Sequence, residues 1–98
     1  DVGKLSSLEE INVSLLVDAL KWKRFSDMRK WINSNMDMDT TRIFRKLYDN
    51  LGSHLKQQSV PQAVLIIADY QYKSAFVADQ EINLVACLTE IMVDCEFK

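Results

Sequence analysis

Turn-forming residues are scarce in this chain: its 98 residues include two glycines, Gly3 and Gly52, and one proline, Pro61. A β-sandwich or barrel needs turn signals roughly every 8–12 residues, so this scarcity disfavours that architecture. Two isolated glycines also cannot build a Gly-x-x-x-x-Gly-Lys-Ser/Thr or Gly-x-Gly-x-x-Gly phosphate loop. Histidine occurs once, as His54, and cysteine twice, as Cys87 and Cys95. Three soft ligands without short paired spacing do not make a zinc site, and neither thiol has the local context of a nucleophile. Asp37-Met38-Asp39 lacks the glycine and glutamate that a calcium loop needs at its sixth and twelfth positions. No apolar run approaches a membrane span, and no basic segment followed by an apolar one marks a signal peptide. A soluble, cytoplasmic chain with no membrane contact, no metal and no cofactor of its own is expected.

What is present is apolar content, 48% of residues, enough for a packed core. Residues 1–98 are expected to be a single domain, since a chain of this length has no room for a second. It opens on Asp1 rather than Met, which leads us to expect a piece of a longer protein. Cys87 and Cys95 lie eight positions apart on one expected helix, about 12 Å at 1.5 Å per residue. That is beyond disulfide reach, so two reduced, buried thiols are expected.

Apolar residues recur at helical spacing almost throughout, and the fold class expected is all-α, a compact bundle of about five helices. Ser6 or Ser7, ahead of Glu9 and Glu10, can form a capping box. A first stripe then runs through Leu8, Ile11, Leu15, Ala19 and Trp22, widened by Leu16 and Leu20, with Glu9, Asp18 and Lys21 on the wet side. The basic step Lys21-Trp22-Lys23-Arg24 ends this helix, where cations suit the negative end of the dipole. A short second helix carries Phe25, Met28, Trp31 and Ile32 inward and closes at Asn33-Ser34-Asn35, asparagine tolerating a left-handed turn. Asp37 or Asp39 caps a third, whose core face is Ile43, Phe44, Leu47, Tyr48 and Leu51. Ser59-Val60-Pro61-Gln62 has the pattern of a capped start with proline in the first turn. The fourth helix follows with Val64, Leu65, Ile67 and Ala68, to about Tyr72. After a break near Lys73 to Phe76, a fifth begins around Val77 to Asp79. It is apolar at Ile82, Leu84, Val85, Ala86, Leu88, Ile91, Met92 and Val93, with Asn83, Glu90 and Asp94 as a narrow polar edge. A helix this apolar belongs in the centre of a bundle or against a partner chain.

Two surface features are candidate sites. Tyr70, Tyr72, Phe76 and Phe97 gather at a helix break and at the chain end, where aromatics anchor interfaces. The net charge of −2 is also uneven: residues 21–46 hold eight basic and three acidic side chains, residues 50–98 three and six. Arg42, Arg45 and Lys46 form a candidate basic face on the third helix. A helix-turn-helix can be drawn there, but an acidic cap at Asp39 would face the DNA groove. The basic residues are therefore expected to be solvated or to meet the acidic surface of a neighbouring subunit. His54 is expected on the polar side of the third helix.

The Ser59-Val60-Pro61-Gln62 start, the Tyr70/Tyr72 helix end, the Ala78-Asp79-x-Glu81-Ile82-x-Leu84 step and the ending Cys95-Glu96-Phe97-Lys98 occur in an order that resembles small clamp-loader subunits. These are the replication-factor-C-like AAA+ ATPases that open the sliding DNA clamp, and the T-even-type bacteriophage branch is the nearest likeness. The resemblance is strongest over residues 59–98. It implies a C-terminal helical collar that holds ATPase modules in a ring through head-to-tail contacts with other clamp-loader subunits. ATP and Mg²⁺, and contacts with the sliding clamp and primer–template DNA, would then belong to the rest of the parent protein. The domain itself would not be an enzyme, and no catalytic residue is carried over. A phage source would place it in the bacterial host cytoplasm. A stand-alone helical protein–protein adaptor and a small helical DNA-binding regulator are the other readings.

Overall fold

Five helices form around one apolar core in the computed structural model, which describes residues 13–98. They are α1 (13–21), α2 (Phe25–Ser34), α3 (Thr40–Leu51), α4 (Val60–Lys73) and α5 (Gln80–Asp94), with a 3₁₀ turn, Gln57–Ser59, leading into α4. The Cα radius of gyration, 12.8 Å, is what a close-packed chain of this length should have, roughly 13 Å. α3 packs on α4, α4 on α5, and α5 on α2, so α5 lies between α4 and α2. Its buried Leu84, Cys87, Leu88, Ile91 and Met92 follow the i, i+3, i+4, i+7, i+8 rhythm of a core-facing helix.

Local chemistry sets most boundaries. Asp39 caps α3, its carboxylate accepting from Thr41 N at 2.9 Å, and Asp79 caps α5 by accepting from Ile82 N at 3.1 Å. α1 ends in a Schellman turn: Arg24 N donates to Ala19 O (2.8 Å) and Lys23 N to Leu20 O (3.2 Å), with Lys23 left-handed at φ 56°. A lysine takes this glycine-type position and sends its Nζ to Met92 O, 3.3 Å away. That carbonyl lies in the last turn of α5, which has no basic residue of its own. Asn35 ends α2 with its side chain, Nδ2 donating to Trp31 O at 2.7 Å, while its backbone stays at φ −114°. The left-handed turn expected at Asn33 to Asn35 is thus made at Lys23 instead.

Several inward-facing expectations are corrected by the packing. In α1 the buried residues are Val13, Leu16, Val17, Ala19 and Leu20, whereas Leu15 and Trp22 are 60% and 64% exposed. Asp18, expected on the wet side, lies next to Leu15 and Trp22 around the helix, so turning those two inward would draw a carboxylate toward the core without a partner. Leu8, Ile11, Glu9 and the capping box at Ser6 and Ser7 lie outside the described residues. Phe25 and Tyr48 are exposed, although their stripe-mates Met28, Trp31, Ile32, Ile43, Phe44, Leu47 and Leu51 are buried. In α4 the core arc is Ala63, Ile66 and Ile67, with Tyr70 packed against it. Val64, Leu65 and Ala68 face out. In α5, Ile82 and Val93 are exposed and Asn83 is buried, donating to Tyr70 O at 3.1 Å.

Ser59 does not cap α4. Its hydroxyl accepts from Glu96 N at 2.9 Å, and so fixes the C-terminal tail. Lys56 N donates to Glu96 O (2.9 Å) and Lys98 N to His54 O (3.0 Å), around an isolated antiparallel bridge between Leu55 and Phe97. A helical period gives no hint of this pairing, since it joins two turns far apart in sequence. Pro61 does stand in the first turn of α4.

Candidate protein-binding face

α4 is apolar on two opposite sides. At about 100° per residue, Ala63, Ile66, Ile67 and Tyr70 occupy one arc, and Leu65, Tyr72 and Phe76 fall within about 40° of one another on the opposite side. Phe76 extends this line past the helix end because the chain keeps turning, Phe76 N donating to Lys73 O at 2.9 Å. Pro61 and Ala68, both exposed, complete a seam at 61, 65, 68, 72 and 76, near the spacing of a helix–helix contact. Leu65, Tyr72 and Phe76 are 66%, 70% and 72% exposed. The Tyr72 and Phe76 rings tilt against each other at 55°, their centroids 5.2 Å apart, which puts an aromatic pair at the end of the seam. An ion pair between Lys73 and Asp69 (3.0 Å) flanks it.

α5 repeats the arrangement more sparsely. Ile82 and Val93, eleven positions apart, share one face, with half-buried Ala86 and Thr89 between them. Its spacing, 82, 86, 89 and 93, matches that of the α4 seam.

Two of the four candidate interface aromatics, Tyr72 and Phe76, are together on the α4 seam. Tyr70 is two residues from Tyr72, hence about 200° around the helix, and turns inward. Its hydroxyl donates to Glu90 Oε1 at 2.9 Å, and the Lys73 ammonium lies 4.7 Å from its ring centre. Phe97 is half-buried in the tail bridge beside Leu55, ahead of the α4 N-terminus. Tyr72 lies near the other end of that helix, about 18 Å along its axis. Leu65, Ile82 and Val93 are additions that a helical wheel could have supplied, because they stand opposite the core arcs of α4 and α5.

Arg42 and Arg45 are exposed on α3 and Lys46 is half-buried. Arg45 bonds Asp49 (Nε to Oδ2, 3.2 Å) and its guanidinium lies 5.3 Å from the centre of the Tyr48 ring. His54 is exposed in the turn after α3 rather than on that helix. Both cysteines are buried. Burial, aided by the charges of Glu90 and Asp69, pushes the Cys87 thiol up to about 12. Cys95 is raised by burial and by the Asp94 and Glu90 charges. The Tyr70 phenol is likewise pushed up to about 12, by burial and then by its bond to the Glu90 carboxylate. At neutral pH all three are protonated, and the thiols are poor nucleophiles.

Among the described residues no helix is long and apolar enough to cross a membrane, and no three His, Cys, Asp or Glu side chains converge as a metal site. Compared with known protein families and with curated proteins, the chain matches none.

Proposed function

We infer that this domain is an assembly module, bound to another protein chain through the outward seam of α4. The observation that carries the reading is Leu65, Tyr72 and Phe76 aligned opposite the core, each about two-thirds exposed or more. A helix that serves only its own bundle needs one apolar side. Covering each of these side chains would contribute roughly 1.5–3 kcal/mol of apolar burial, so a modest contact area suffices within a larger assembly. The order of motifs from Ser59 to Lys98 favours one kind of assembly, the collar of a replication-factor-C-like clamp loader. In that role the domain holds neighbouring subunits in circular order. ATP, Mg²⁺, the sliding clamp and primer–template DNA would engage other parts of the parent protein.

Two measurements test this. The reading frame upstream of Asp1 should encode a phosphate-binding loop, an acidic Mg²⁺ motif and a Ser-Arg-Cys motif, in that order. A start codon immediately upstream would favour a lone adaptor and remove the replication reading. A benzophenone amino acid placed at 72 or 76 in the parent protein should cross-link to a second subunit, while one at Arg29 should not. Equal cross-linking from all three positions would sink the seam as the contact.

A further inference from the structure

We propose that the open groove between α3 and α4, which borders the α4 seam at Ala68, is a docking site for an acidic amphipathic helix of a partner protein. Its volume is about 600 Å³. Phe44 and Ile67 form its floor, and Tyr48 and Val64 face each other across it. A second hollow continues it past Tyr48 and Val64 toward Leu55 and Val60, so the trough follows the helices rather than closing into a pit. Thr41 to Tyr48 on one side and Val64 to Gln71 on the other each cover about 10 Å, the length over which a bound helix presents residues i, i+3 or i+4, and i+7.

Charge selects the occupant. Along the main groove the α3 rim carries Arg42 and Arg45 and the α4 rim carries Ala68 and Gln71, with no charge, while Asp49, the ion-pair partner of Arg45, lines the second hollow. A ligand helix with an apolar stripe and carboxylates along one flank only would match both rims. Lys46, the third cation of this helix, does not line the groove. Arg45 holds Asp49 at the surface, a weak exposed pair, and its guanidinium has further donors to offer a partner's carboxylate. The apolar floor argues against nucleic acid, whose phosphates need cations and gain nothing from Phe44, Ile67 and Val64. An apolar trough with cations on one edge instead suits helix-in-groove recognition.

The test uses the 98-residue chain and fluorescein-labelled 16-residue helical peptides with leucines at i, i+4 and i+7. One peptide carries glutamates on a single flank and a second carries lysines at the same positions. A 20-base-pair DNA duplex is the third probe. The glutamate peptide should bind at least tenfold more tightly than the lysine peptide by anisotropy. On binding it, the amide shifts of the chain should centre on Val64, Ile67 and Gln71. Arg42→Glu/Arg45→Glu, two surface changes that leave the core intact, should weaken it at least tenfold and reverse the preference. Equal binding of both peptides, tighter binding of the duplex, shifts centred on Tyr72 and Phe76, or no binding at millimolar peptide would each overturn the proposal. A Leu65→Glu/Tyr72→Glu variant, which disables the seam, should bind the peptide as the wild type does.

Discussion

α3 and α4 pack against each other and have nearly equal lengths, yet they handle their apolar residues differently. On α3, Ile43, Phe44, Leu47 and Leu51 all turn inward, and the exposed surface is polar except for Tyr48 at the groove edge. On α4 the core takes Ala63, Ile66 and Ile67, with Val60 and Tyr70 packed against it, and Val64, Leu65, Ala68 and Tyr72 remain outside. The fold accounts for the apolar content of α3 almost completely and for about half that of α4. On the proposed reading this surplus makes α4 the helix with more apolar surface than its own bundle uses.

The sharpest way to break this contrast is to truncate one leucine on each helix. Leu47→Ala should destabilise the domain by about 2–5 kcal/mol in denaturant titrations, because it opens a cavity in a fully enclosed site. Leu65→Ala should change stability by less than about 0.5 kcal/mol while weakening the proposed contact with a partner chain. A large stability loss at Leu65 would mean that the seam already serves the bundle.

A smaller effect should come from the polar link that holds α4 to α5. Tyr70→Phe should cost about 1 kcal/mol at pH 7, since Glu90 loses a half-buried donor. The phenol's raised value implies stability that is fully present below about pH 10 and lost as pH climbs toward 12. Cys87 contributes in the same direction from about pH 9 upward. Unfolding followed from pH 8 to 12 should therefore show a fall that begins near 9, and Tyr70→Phe should remove only its upper part. An unchanged alkaline profile would show that Tyr70 is not the group responsible.

The smallest effect should come at the end of α3. Gly52 has right-handed helical angles, φ −57° and ψ −35°, and a Cβ added there meets nothing within 4 Å. Gly52→Ala should accordingly raise stability by about 0.4–1 kcal/mol, mainly by restricting the unfolded chain. A drop in melting temperature would mean that this glycine serves a conformation other than the one observed.

How much was legible in the sequence follows the range of the interactions. The caps at Asp39 and Asp79, the proline in the first turn of α4 and the break before α5 depend on neighbours within a few residues, and the structure has them where local pattern puts them. Which side of a helix faces inward was best legible where a single side is apolar, as on α3, and even there Tyr48 was placed with the core and is exposed. On α1 and α4 two apolar arcs compete, and on α1 Val13, Leu16, Val17 and Leu20 are buried while Leu15 and Trp22, which stand beside Asp18 around the helix, are exposed. The spacing of Tyr70 and Tyr72 already forbids a shared face. Ser59 has a local capping pattern, but its hydroxyl serves a backbone amide 37 residues away, a partner no short window can reveal.

That tail makes the molecule its own stopwatch. Cys95 sits directly before residues 96–98, which rest on a few hydrogen bonds to Ser59, Lys56 and His54, whereas Cys87 is enclosed in mid-helix between α4 and α2. Peeling away four residues bares the first thiol, and only loss of the whole bundle bares the second. A thiol reagent would therefore record two clocks in one tube, a fast one for fraying at the chain end and a slow one for global opening. A partner clasping the α4–α5 side would slow the second clock, and the first would show whether the clasp extends to the tail.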